Sequence, residues 1–231
     1  MTRATSARLT GFAYLGYMVV GLSNDFLMAR ATAGEGTSGK LAMMAQHATD
    51  VRIGILLKVC ECLAAFVLAV SLYGLTRDED HELAVLAMVC RVAEGIFLAS
   101  LIPVDLGLLW LSTGAGNGGV PDVAAAGTLA AFLLRPEGSI PAVFFALGSA
   151  IFSWLLLRGR MVPTALAGLG VFSSLVLLVS TPLHLAGFVT ATLAGYLWIP
   201  AIAFAPLLAL WLLIKGVAPL KGVAPREGER R

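Results

Sequence analysis

Residues 83–111, LAVLAMVCRVAEGIFLASLIPVDLGLLWL, are almost continuously apolar, yet they contain Arg91, Glu94 and Asp105. About twenty apolar residues, rising about 1.5 Å each, cross a hydrocarbon core of roughly 30 Å, so this stretch is expected to span a bilayer. An ionisable side chain at that depth costs about 3 kcal/mol or more when it faces lipid. On one continuous helix Arg91 and Glu94 stand three positions apart and Asp105 eleven beyond Glu94, which places all three on one stripe. That stripe is expected to face the inside of a helical bundle.

The remainder of the chain has the same character. Hydrophobic residues make up 58% of it and charged residues 13%, against about 25% charged in an ordinary soluble domain. The expected fold is all-α: an integral membrane helical bundle over residues 1–216 with six transmembrane helices and a short extra helix between the third and fourth. Residues 217–231, where KGVAP recurs at Lys215 and Lys221, read as a disordered cytoplasmic tail. The other spans are expected at 9–29, 51–75, 140–157, 162–185 and 190–214. Residues 30–50, with Gly34, Gly36 and Gly39, read as a polar loop. VAAAGTLAAFLL, between Pro121 and Pro136, is too short to span and reads as an interfacial or re-entrant helix. Pro103 removes a backbone donor inside the third span, so a kink or break is expected just before Asp105.

Basic residues set the orientation. With both termini cytoplasmic, the inner side holds Arg3, Arg8, Arg77, Arg158, Arg160 and the basic residues of the tail, while the outer side holds Arg30, Lys40, Arg52 and Arg135. The net charge of +2 is dispersed over helix ends, so no nucleic acid partner is expected; the lipid bilayer is the expected surrounding. Cys60, Cys62 and Cys90 lie within spans and lack the spacing of a zinc site or disulfide framework. The chain carries no GxxxxGK[ST], GxGxxG after a strand, HExxH, CxxC or GxSxG. Nucleotide hydrolysis, dinucleotide redox, zinc protease and serine hydrolase chemistry therefore lack their usual groups, and neither a metal nor a cofactor is expected.

The polar residues within the spans are the candidate site. Tyr14, Tyr17, Asn24 and Asp25 share a stripe of the first span, Lys58 and Glu61 lie one turn apart on the second, and Arg91, Glu94 and Asp105 follow on the third. With Trp198 of the sixth, these are the candidate ligand-binding residues; Trp110 and Trp198 also fit an interfacial aromatic belt, and His184 an interfacial position. Asp25, Glu61, Glu94 and Asp105 outnumber Lys58 and Arg91 by two. An acid left unpaired in a low-dielectric interior is neutral unless a cation offsets it. Three functions fit. The first is binding or transport of a small cationic or lipophilic molecule in an outward-facing polar pocket. The second is an intramembrane enzyme in which protonated Glu61 or Asp105 is the catalytic acid on an isoprenoid-like substrate, with aromatic rings stabilising positive charge. The third is a scaffold in which Lys58 with Asp105 or Glu61, and Arg91 with Glu94, are structural pairs.

Four segments carry a family resemblance: RLTGFAYLGYMVVG from Arg8, CRVAEG around Arg91 and Glu94, LRGRMVPTALAGLGV from Leu157 and LWLLIKGV from Leu210. In matching order they resemble the Domain of Unknown Function 4386 family. The resemblance implies a small multi-helix bacterial membrane protein and carries no activity or catalytic residue with it; the expected location is the inner membrane.

Overall fold

The protein is described from a computed structural model covering residues 3–114, 123–134 and 139–217. The described residues are helical throughout, without a strand: α1 (Arg3–Ala31), α2 (Gly36–Gln46), α3 (Ala48–Thr76), α4 (His81–Ser100), α5 (Ile102–Gly114), α6 (Val123–Leu133), α7 (Ser139–Arg158), α8 (Thr164–Leu185), α9 (Ala191–Leu197) and α10 (Ile199–Ile214). Six units are long and apolar enough to cross a membrane: α1, α3, α4 with α5, α7, α8, and α9 with α10. The chain is a multi-pass membrane protein with an all-α bundle fold. The tail expected to be disordered lies outside the described residues from 218 onward, as do Arg135 and the glycine-rich stretch 115–122.

The six units form a closed ring. α1 packs along α3, α3 along α4, α4 along α7 and α7 along α8, while α10 joins α8 back to α1. Tyr14, Leu68, Leu72, Ala87, Phe152 and Ala209 fill part of the centre. Lipid gives apolar faces no reason to hide, so helices in a bilayer are held by close packing, and small residues sit where they approach most nearly. A Cβ on Gly11 would meet the Ala209 carbonyl at 2.7 Å, and one on Gly170 would meet Phe204 at 2.4 Å and Ser153 Oγ at 2.6 Å. Outward, α1 exposes Phe12, Val19, Leu22 and Phe26, side chains suited to acyl chains.

Two expectations are revised and one is made specific. Residues 30–50 are not simply a loop, because α2 occupies Gly36–Gln46: beyond Gly39 the run KLAMMAQ consists of good helix formers, and its Met44 is fully buried against Ala31, Val51 and Leu108. The third span is two helices, and the break falls where Pro103 implied it: α4 ends at Ser100, α5 begins at Ile102, and Asp105 N–H donates to the Leu101 carbonyl at 3.1 Å. The sixth span is also divided, at Trp198, because Pro200 stands at the start of α10 and has no amide proton to give the preceding turn. α6 is the short helix expected between the third and fourth spans, and it joins α2 and α5 at the end of the bundle where α1 finishes and α3 begins.

At the end where α1 begins, the α3–α4 turn is tied to α7. Asp80 caps α4 by accepting from Leu83 N–H at 3.1 Å, and Arg158 reaches both Asp80 and Glu79 at 3.2 Å. α7 ends in a Schellman motif: Met161 N–H donates to the Leu156 carbonyl at 3.0 Å and Arg160 N–H to the Leu157 carbonyl at 3.1 Å, with Arg160 at φ 49° where glycine is usual.

Candidate functional site

The polar side chains of the spans gather into a column along α1, α3, α4 and α5. Its most enclosed part is Arg91 with Glu94, 0% and 1% exposed, one turn apart on α4. Arg91 Nη1 lies 2.7 Å from Glu94 Oε2, an oblique charge contact rather than an aligned hydrogen bond. Glu94 Oε1 accepts the phenol proton of Tyr17, on α1, at 2.5 Å. The guanidinium is sandwiched between two rings, 5.1 Å from the centroid of Tyr17 and 4.9 Å from that of Phe145 on α7. Such a contact stabilises a desolvated cation by about 2 kcal/mol. The aliphatic stem of Arg91 crosses α7 at Gly148, where a Cβ would stand 3.0 Å from Cγ and 3.1 Å from Cδ. Tyr14, 4% exposed, lies one turn before Tyr17 and within electrostatic reach of both charges.

The second part of the column joins α3 to α5. The Lys58 ammonium donates to Asp105 Oδ2, and both side chains are buried. The break before Asp105 therefore carries an acid whose partner is a lysine from the neighbouring helix. This resolves the choice between Asp105 and Glu61 as the partner of Lys58.

Glu61 stands between the two pairs. It is half-buried, lies within electrostatic reach of Asp25, Glu94, Lys58 and Arg91, and has no hydrogen bond or ion pair among the described residues. Its carboxylate rests on Gly21 of α1, where a Cβ would sit 2.8 Å from Oε1. Asp25, one turn further along α1, is exposed and within reach of Lys58. Asn24 faces inward at 5% exposure, its Oδ1 unpartnered and close to Gly54.

Trp198 does not join the column directly. It sits at the α9–α10 break and stacks on Phe145, centroids 5.8 Å apart, so that Phe145 stands between Trp198 and Arg91. Phe145 is the residue the sequence left unnoticed, because one phenylalanine in an apolar span carries no signal of the cation beside it. A cavity of about 10 Å³ among Tyr14, Ser149, Phe152, Ser153 and Phe204 has room for one water. A larger one, about 250 Å³, lies between α7, α8 and α9. Neither lies at Lys58, Glu61 or Asp105. Cys60 is exposed while Cys62 and Cys90 are buried, all three as free thiols.

A family model described as Domain of unknown function (DUF4386) matches residues 9–216, nearly the whole described bundle. No curated protein and no solved structure matches the chain.

Proposed function

We propose that this chain, which belongs to the DUF4386 family, binds and passes a small amine-bearing solute, with Glu61 as the acceptor of its charge. The observation that carries the reading is the position of Glu61: a half-buried acid between two ion pairs that use up the cations around it, with no partner of its own among the described residues. A carboxylate in that setting favours an incoming ammonium over solvent it cannot reach fully. Asp25, exposed near the same seam of α1 and α3, provides a first attachment point on the way in. Glu61 rests on Gly21, so admission past it requires the α1–α3 seam there to open.

The proposed setting is the bacterial inner membrane, with both termini in the cytoplasm. Arg77, Arg158, Arg160 and Lys215 cluster at the end where α1 begins, against Arg30, Lys40 and Arg52 at the other. Residues 1–216 then form one domain and 217–231 a cytoplasmic tail.

A second reading is favoured by the two ion pairs, which match four buried charges within the protein. If Lys58 with Asp105 and Arg91 with Glu94 only fix helix register, the column is a scaffold and binds nothing. Native mass spectrometry of the purified protein and its Glu61→Gln variant separates the two. Binding predicts a small molecule retained by the wild type and lost from a variant that unfolds at an unchanged or higher temperature. If both proteins are bare and hexylammonium adds to neither, the scaffold reading stands.

A further inference from the structure

On the far side of the bundle from Glu61, the cavity of about 250 Å³ is lined by Ser180, Thr181 and His184 of α8, Trp198, and the small residues of α9 and α7. Its shape follows from local chemistry. Gly187, at φ 82°, ends α8 in a Schellman motif: Phe188 N–H donates to the Leu183 carbonyl at 2.9 Å and Gly187 N–H to the His184 carbonyl at 3.0 Å. The turn brings the Val189 carbonyl to 2.8 Å from His184 Nδ1. A carbonyl only accepts, so Nδ1 carries the proton, and the neutral ring presents Nε2 as an acceptor. Thr190 caps α9 through Leu193 N–H at 3.4 Å, and α9 then lays Ala191, Ala194 and Gly195 along the opening.

Ser180 and Thr181 are each 6% exposed, and neither hydroxyl has a hydrogen-bond partner among the described residues. Thr10, Thr32 and Thr76 each return their hydroxyl proton to a carbonyl four residues back in their own helix. At Ser180 and Thr181 that internal bond is not made, so two hydroxyls of largely buried residues are free to face the cavity. A molecule that enters it can pair with them.

We propose that this cavity binds a small neutral alcohol or phenol. Its hydroxyl proton is donated to His184 Nε2, its oxygen accepts from Thr181 or Ser180, and its apolar body lies against Ala142, Ala194 and Trp198. No acid or base other than His184 lines the cavity, so a charged group would enter uncompensated. The volume suits about ten non-hydrogen atoms rather than a full lipid. The site is independent of the reading given for Glu61.

The test is fluorine NMR of 4-fluorophenol with the full chain in lipid nanodiscs, with fluorobenzene as the isostere lacking a hydroxyl and empty nanodiscs to subtract partition into lipid. Saturable binding of 4-fluorophenol is expected, at least tenfold tighter than fluorobenzene and weakened about tenfold in Thr181→Val and in His184→Ala. Gly195→Leu is the variant that keeps the outcome clear of misfolding. Gly195 is an exposed residue of the opening and a Cβ there meets nothing within 4 Å, so a larger side chain is expected to cover the mouth without displacing its walls, and binding to vanish while the unfolding temperature holds. Equal affinity for the two probes, retention of binding in Gly195→Leu, or no saturable binding by the wild type would each overturn the proposal.

Discussion

Tyr17 and Glu94 join α1 to α4 through a single phenol-to-carboxylate hydrogen bond of 2.5 Å, made inside the bundle to an acid that Arg91 holds from its other oxygen. Removing the phenol oxygen leaves Glu94 Oε1 buried without its donor. Tyr17→Phe is expected to destabilise the protein by about 1–3 kcal/mol, roughly 3–8 °C in thermal unfolding followed in detergent, because an unmet buried acceptor loses its full solvation. An unchanged midpoint would mean that the bond contributes nothing.

Lys58 and Asp105 allow a sharper test, because each is the other's charge partner across α3 and α5. Lys58→Met is expected to cost about 3–5 kcal/mol by leaving the carboxylate unpaired, and adding Asp105→Leu is expected to restore most of that loss. A double-mutant cycle on unfolding free energies measures the coupling. Additive losses would show that the pair is not a unit.

Gly148 is expected to resist the smallest enlargement. A methyl there meets Arg91 Cγ at 3.0 Å and the Ala87 carbonyl at 3.2 Å, and the guanidinium at the end of that stem is held against the Tyr17 and Phe145 rings. Gly148→Ala is expected to lower stability by about 1–3 kcal/mol despite its better helix propensity, while Gly168→Ala, where a Cβ meets nothing within 4 Å, is expected to be neutral or mildly stabilising. Thermal melts of the two variants side by side give the comparison.

Arg160 occupies the left-handed position of the motif that ends α7. Arg160→Gly is expected to raise stability by about 0.5–1 kcal/mol, the strain of a side chain in that conformation exceeding the extra freedom of the unfolded glycine. Chemical denaturation at matched detergent concentration measures it; a loss of stability would mean that the arginine makes a contact worth more than the strain.

The six membrane-crossing units and the break before Asp105 are legible in the sequence, because apolar length and one proline decide them. The pairing of Lys58 is only half legible: spacing allows Glu61 or Asp105, and the choice depends on how closely α5 follows α3 beyond the break. The stripe uniting Arg91, Glu94 and Asp105 assumes one straight helix, and the break detaches Asp105 from it. Ser180, Thr181 and His184 read as unremarkable helix text, because what distinguishes them is a bond not made and a turn at Gly187 that folds Val189 back on the imidazole. Their place opposite α9 depends on how the sixth span divides at Trp198, and no local spacing encodes that.

The divided third span bears on the bilayer as much as on the site. As a straight rod its 34 residues would measure about 51 Å, well beyond a hydrocarbon layer of roughly 30 Å. With a joint at Leu101, the angle between α4 and α5 becomes the adjustable quantity when the membrane thins or thickens, while the start of α4 stays anchored by Arg158 on the α3–α4 turn. A rigid span meets hydrophobic mismatch by tilting as a whole. Here the same strain would be delivered to the joint, four residues from the acid that Lys58 holds, so that bilayer thickness becomes a variable acting on the polar column itself.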